Sequence, residues 1–97
     1  MLIINRKMGE SMIIGDNLWI IVLDIQEKCI KLGLGLLEDK SILSVSTLKL
    51  DERLKVGKDL TIMAVQIRGK QAKIGIDSHR DIQILRGELY DKNNDAY

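Results

Sequence analysis

The chain has 97 residues, which is enough for one small globular domain. Its net charge of +1 does not by itself indicate nucleic-acid binding, so a nucleic-acid site would need a local basic patch. Hydrophobic residues make up 45%, with no Phe, no Pro and one Trp, so the core must be aliphatic and strands are favoured. A single cysteine, Cys29, excludes an internal disulfide and a multi-thiolate metal site, and no apolar run reaches transmembrane length. We therefore expect a cytoplasmic protein.

Short apolar runs separated by turn residues predict a chain made of strands. The first half opens with a strand over residues 1–4, the basic pair Arg6 and Lys7, a turn over 8–11 and a strand over 12–14. Further strands are predicted over residues 18–23, 29–34 and 41–50. In the second half, strands are predicted over residues 60–67, 72–76 and 82–86, with a polar loop over 77–81. Residues 87–97 tolerate a short helix at best, and their end is expected to fray.

The second half repeats the first after a shift of 42 residues, without a gap. Lys7 matches Lys49, Glu10 matches Glu52, and Gly15 matches Gly57, so that turns and glycines stay in phase. Short β-chains rich in Ile, Leu, Gly and Lys can match by chance, but the gap-free phase of every element argues against that reading. We predict one domain over residues 1–97, with repeats over about 1–44 and 43–90 and a tail over 91–97.

Several residue patterns that carry chemistry are missing from the sequence. We find no nucleophile beside a base, no phosphate-binding loop and no pair of carboxylates at catalytic spacing. His79 is the only histidine, and Cys29 has no histidine beside it in sequence. We therefore expect no enzymatic activity, no metal and no cofactor.

The opening sixteen residues, MLIINRKMGESMIIGD, resemble the start of the carbon storage regulator (CsrA) family of small bacterial RNA-binding proteins. The segments KLGL at 31–34 and KIGI at 73–76 resemble the fourth strand of that family. The segment SHRDIQILRGELY at 78–90 resembles its loop, last strand and terminal helix. The resemblance covers nearly the whole chain twice, and the opening segment is its most specific part.

The resemblance implies an all-β fold in which two five-stranded copies intertwine as a dimer, here within one chain. It also implies that the first strand of one copy and the fifth strand of the other form a composite edge. That edge would bind RNA hairpin loops that display GGA, and binding would control translation or the lifetime of messages.

The two copies depart from the family pattern in complementary ways. The first copy keeps the basic first strand but has Ser44 where the family has an arginine in its last strand. The second copy has Ser46 and Leu48 in its first strand but keeps Ile84 and Arg86 in its last. In the gap-free repeat, residues 43–44 belong both to the end of the first copy and to the start of the second copy. We therefore predict a single-chain pseudo-dimer with one good RNA edge and an inactive edge around residues 41–49.

Eight residues make up the predicted RNA site: Ile4, Arg6, Lys7, His79, Arg80, Ile84, Arg86 and Glu88. A guanidinium offers planar recognition of phosphate or of a base edge, and the family position favours this role for Arg86 over a solvated strand end. Arg6 and Lys7 would attract phosphate, although without the resemblance they would be assigned to a solvated turn. Ile4 fits either the core or a shelf beneath a base. His79 lies in a loop that family members use through backbone groups.

Trp19 and Ile21 make one face of their strand more apolar than the same face in the other copy, where Thr61 and Met63 replace them. A strand that is apolar on both faces is either buried on both faces or exposes a hydrophobic patch that can bind a partner. An asymmetric core explains this, but so does self-association or a protein partner, in which case Trp19 should be partly exposed. The alternative function is accordingly a protein-interaction module that has lost RNA binding and modulates a standard family member or another partner.

Overall fold

The computed structural model describes residues 1–79 and 82–89. Nine strands account for most of this part of the chain, which confirms the predicted all-β class. In chain order they are β1 (Leu2–Lys7), β2 (Ser11–Ile14), β3 (Leu18–Ile25), β4 (Cys29–Leu36), β5 (Ser41–Lys49), β6 (Arg53–Val56), β7 (Leu60–Arg68), β8 (Gln71–Asp77) and β9 (Ile84–Arg86). A helical turn begins at Gly87 and includes Glu88 and Leu89.

The strands form two antiparallel sheets that exchange strands between the two copies. Sheet A has the order β1-β8-β7-β6, and sheet B has the order β5-β4-β3-β2-β9. The first strand of the chain therefore completes the sheet of the second copy, while β5 and β9 of the second copy complete the sheet of the first. This exchange is the predicted intertwining of two repeats within one chain.

One aliphatic core lies between the two sheets. Alternate residues of facing strands contribute to it, among them Ile20 and Leu32 from sheet B and Ile62 and Ile74 from sheet A, all fully buried. Each belongs to a strand whose other residues point outward, as the two-residue period of a β-strand requires. The core fixes the two sheets face to face and leaves their edge strands at the sides.

The turns of the two copies match in conformation as well as in position. Gly9 has a φ of 86°, and Asp51, which takes its place in the second copy, has a φ of 65°. Glycine adopts this left-handed region without strain, and Asp tolerates it better than most residues. The gap-free repeat is thus visible in the backbone even where the residue type has changed.

The segment around residues 43–44, where the two repeats overlap in sequence, belongs to only one copy in the structure. Strand β5 pairs with β4 along its length, with Leu48 opposite Ile30 and Ser44 opposite Leu34. In the same way β1 pairs with β8, with Arg6 opposite Ala72. Residues 41–49 therefore serve as the first strand of the second copy, and the first copy has no closing strand among the described residues. Sheet A accordingly has four strands where sheet B has five.

The structure differs from the sequence prediction in several details, since β6 (Arg53–Val56) was not among the predicted strands and β9 begins at Ile84 instead of residue 82. Strand β1 does not stop before the basic pair but continues through Arg6 to Lys7, because all six of its residues pair with β8. Trp19 is not partly exposed within the chain, since only 8% of it is accessible. The register places Trp19 opposite Ile13 of β2 and opposite Gly35 of β4, on the outer face of sheet B, and the ring is buried there within the chain.

Candidate nucleic-acid interface

Two edge strands meet on one side of the molecule. Strand β1 ends sheet A and strand β9 ends sheet B. The two strands are not hydrogen-bonded to each other, because β1 pairs with β8 and β9 pairs with β2. What joins them is a side-chain contact between β1 and the helical turn that follows β9.

That contact is a two-pronged ion pair between Arg6 and Glu88. The Nη1 of Arg6 donates to Oε1 of Glu88 at 2.7 Å, and Nη2 donates to Oε2 at 3.0 Å. The same guanidinium donates from Nη1 to the carbonyl oxygen of Ser11 at 3.1 Å and from Nε to that of Asn5 at 2.7 Å. Planar, multi-donor geometry of this kind suits arginine and not lysine. Strand β1 and the helical turn that carries Glu88 are thereby fixed in one geometry.

The ion pair also sets the charge state of Glu88. Hydrogen bonds from Arg6 lower the pKa of the Glu88 carboxyl from 4.5 to about 2, assisted by a backbone hydrogen bond and by the nearby charges of Arg6 and Arg86. Because the pKa is lower in the folded chain than in the unfolded one, the stability from this pair is full above about pH 4.5. It is lost as the pH falls through about 2.

Replacing Arg6 by leucine copies the other edge, where Leu48 stands at the equivalent position and is 2% exposed. The variant removes the partner of the half-exposed Glu88 and the donor to the carbonyl oxygens of Asn5 and Ser11, so the free energy of unfolding at pH 7 should fall by about 1–2 kcal/mol. The Glu88 pKa should return toward 4.5, which an NMR titration of the carboxyl measures, and the stability of the variant should lose the acid dependence that this pair causes. A Glu88 pKa that stays near 2 would contradict the assigned cause.

Two of the predicted site residues have their side chains in the interior. Ile4 and Arg6 are 5% and 4% exposed, and Ile4 belongs to the core between the sheets. The open question about Ile4 is thereby resolved in favour of the core. Because almost no surface of either side chain reaches solvent, both are suited to positioning the edge rather than to touching a ligand.

Two of the other described site residues, His79 and Ile84, line a cleft between the two edges. The cleft has a volume of about 280 Å³ and an apolar wall formed by Leu2, Ile82 and Ile84. His79 lies at its polar rim, and Arg86 is exposed two residues beyond Ile84. The predicted site residue Arg80 lies outside the described residues. The lining combines this apolar wall with the polar side chains of Asp77, Ser78 and His79, and such a surface can hold an unpaired base.

A basic groove on the outer face of sheet A adjoins this edge and was missed by the sequence analysis. It has a volume of about 230 Å³ and is lined only by amide and cationic side chains: Asn5, Gln66, Arg68, Gln71 and Lys73. Lys7 lies directly opposite Gln71 in the register and is exposed. Neither Arg68 nor Lys73 forms an ion pair with a described residue, so both charges are available to an anion.

The signal that could have revealed this groove is the pairing register. Asn5 and Lys73 are far apart in sequence but directly opposite in adjacent strands, and Gln66 is opposite Lys73 on the other side. Alternation within each strand assigns these residues to a solvent face, which reads as an ordinary polar surface. Only the strand order brings them together.

The opposite side of the molecule lacks the equivalent features. Ser44 and Ser46 in β5 stand where Leu2 and Ile4 stand in β1, and Leu48 replaces Arg6. No described strand lies beside β6 as β9 lies beside β2. Among the described residues, no group of three His, Cys, Asp or Glu side chains could hold a metal ion. None of the described helical segments is long and apolar enough to cross a membrane.

Comparison with known proteins agrees with the two-copy architecture. The model of a family described as "CsrA: Global regulator protein family" matches the chain twice, over residues 1–43 and 45–95. A protein named "Translational regulator CsrA" from Clostridium botulinum (strain Alaska E43 / Type E3) is 46% identical over 43 residues, which is 44% of this chain. The matched region spans 61% of the length of that relative. No solved structure matches the chain at a significant level.

Proposed function

Because the chain belongs to the CsrA global regulator protein family, we propose that it is a post-transcriptional regulator that binds RNA hairpins displaying GGA. Binding takes place at the edge formed by β1 and β9, and it controls the translation or the lifetime of the bound message. The name of the relative, a translational regulator, supports this class of function.

The observation that carries the proposal is the Arg6–Glu88 ion pair. It holds the end of β9 against β1, so that exposed Arg86 and the apolar cleft at Ile84 belong to one rigid site. Without this contact, the edges of two separate sheets would be free to shift relative to each other. The site is thus built before the ligand arrives, which lowers the ordering cost of binding.

Different parts of the site act on different parts of the RNA. Unpaired bases of the loop lie in the cleft, where Leu2, Ile82 and Ile84 supply apolar contact and His79 and Arg86 supply polar contact. The sugar-phosphate backbone runs over the basic groove, where Lys7, Lys73 and Arg68 attract phosphate without reading sequence. Ile4 and Arg6 position the edge from inside, and the helical turn that carries Glu88 closes its end.

One RNA hairpin binds to each chain. The β5 side offers Ser44 and Ser46 in place of apolar residues and a buried Leu48 in place of the positioning arginine. Sheet A also has no described fifth strand on that side. Both halves of a second site are therefore missing, although the chain contains two repeats.

Isothermal titration calorimetry at fixed salt tests this proposal. The ligands are a hairpin with GGA in its loop and a matched hairpin with CCA at the same positions. We expect one GGA hairpin per chain and at least about tenfold weaker binding of the CCA hairpin, since each mismatch costs about 1–3 kcal/mol in specific nucleic-acid recognition. Two equivalent sites would refute the single edge, and equal affinities would refute GGA recognition. Absence of any binding would favour the protein-interaction alternative.

A further inference from the structure

In the part of the chain that the structure describes, one edge of strand β6 is free, whereas the same edge of its counterpart in the other copy is covered. Strand β2 lies between β3 and β9, but β6 pairs only with β7 among the described residues. The two strands are equivalent, since β6 (Arg53–Val56) follows β2 (Ser11–Ile14) at the repeat distance. The free edge therefore presents the backbone groups that β2 uses to bind β9.

The side chains at this edge show which apolar surface an additional strand would bury. Met12 and Ile14 of β2 are 0% and 4% exposed, whereas their counterparts Leu54 and Val56 in β6 are only half-buried. Both still pack against the core as partly buried residues. An added strand with apolar side chains on its inner face would complete their burial, and each buried methylene contributes about 0.8 kcal/mol.

The outer face of β6 carries two cations. Arg53 and Lys55 are exposed, and neither forms an ion pair with a described residue. Their counterparts in β2 are Ser11 and Ile13, so this charge is specific to the free edge. Opposite charges at facing positions of an antiparallel pair stabilise it, and like charges destabilise it.

These charges exclude a second copy of this chain as the occupant. Every antiparallel register that pairs two or more residues of each β6 strand, with the apolar side chains inward, places a cation opposite a cation. The other edge strands offer no acid either, because their outer faces carry Asn5 and Lys7 in β1, Thr47 and Lys49 in β5, and Leu85 in β9. The edge is thus protected against self-association, as charged edges commonly are.

We propose that β6 binds an extended segment of another protein, which adds to sheet A as a fifth antiparallel strand. The segment alternates apolar residues, which face Leu54 and Val56, with acidic residues, which face Arg53 and Lys55. Addition of a strand to a sheet edge is a common mode of peptide recognition, in which backbone bonds supply affinity and alternate side chains supply specificity. On the other side of the molecule, Glu88 follows β9 and pairs with Arg6. Here Leu48 takes the place of Arg6, so the bound segment needs no acidic residue at the position equivalent to Glu88.

The test uses the full chain and a capped peptide of sequence Thr-Ile-Glu-Val-Glu-Ile-Thr as the probe. The control peptide carries Lys at both Glu positions. Hydrogen exchange followed by NMR should show new protection of the β6 amides with the acidic peptide, and its affinity should exceed that of the basic peptide about tenfold. Arg53→Glu combined with Lys55→Glu should reverse this preference. Lys31→Glu combined with Lys70→Glu, an equal charge change at exposed positions in β4 and in the turn between β7 and β8, should leave it unchanged.

Three outcomes would overturn the proposal. The first is peptide binding without protection of the β6 amides, which would place the segment elsewhere. The second is equal affinity for the two peptides. The third is protection of the β6 amides that rises with protein concentration without peptide, which would make a second copy the occupant. None of these outcomes depends on whether the β1–β9 edge binds RNA, so the two proposals stand or fall separately.

Discussion

Gly35→Ala should lower the free energy of unfolding by about 3 kcal/mol, at the upper end of the range for overpacking a well-packed site. A Cβ atom at this position would overlap the carbonyl oxygen of Ser41. The register of β4 and β5 shifts between Leu34 and Gly35, so that the β5 backbone comes close to β4 there. Since the obstacle is a backbone atom, the strand itself must move, and the connection between the two copies must distort.

Gly33→Ala is the matched control, two residues earlier on the same face of the same strand. There the added Cβ would meet only side-chain atoms of Ile21, Leu23 and Ile42, at 3.1 to 3.3 Å. Those side chains can adjust by a few tenths of an ångström, so the expected cost is about 1 kcal/mol. Urea unfolding followed by circular dichroism measures both variants. Equal losses in the two variants would contradict the assigned role of the Ser41 backbone.

The repeat and the alternation of apolar residues predicted most of the strands. The turns were predictable because glycine at residues 9, 15 and 57 marks positions with positive φ. The alternation also places Ile4 and Arg6 on one face of β1. These features depend on local chemistry, which a sequence displays directly.

The pairing of strands between the copies was harder to obtain from the sequence. By sequence pattern alone, residues 43–44 fit the end of the first repeat and the start of the second equally well. The choice depends on packing, because β5 buries Leu48 when it pairs with β4. The burial of Arg6 likewise depends on Glu88, which is remote in sequence and arrives only when β9 joins β2.

The error over Trp19 has a related cause. An apolar residue on the outer face of a sheet suggests a partner when neighbouring strands are unknown. Here Trp19 lies opposite Ile13 of β2 and opposite Gly35 of β4, so neighbouring strands flank it on both sides and the chain buries the ring itself. The outer-face residues of β1 and β8 that form the basic groove were missed because their proximity exists only in the folded sheet.

Arg86→Ala should weaken binding of the GGA hairpin about ten- to hundredfold, the effect of losing one base-directed arginine contact. Arg86 lies on β9 opposite Met12, is exposed, and stands beside the cleft that Ile84 lines. Its loss should leave the scaffold intact, because the hydrogen bonds from Arg6 are the largest cause of the low Glu88 pKa. A Glu88 pKa that stays well below 4.5, raised only by the loss of the Arg86 charge, is therefore the internal check that the site is still assembled.

The controls separate sequence reading from simple loss of charge. Lys7→Ala should weaken the GGA and CCA hairpins by the same factor and reduce the slope of log affinity against log salt by about one. Arg53→Ala removes an exposed arginine from the opposite edge and should change neither affinity. In Arg86→Ala the ratio of GGA to CCA affinity should fall, because this residue contacts a base. A uniform loss for both hairpins would instead assign Arg86 to the phosphate backbone and leave the recognition of GGA to the cleft and its loop.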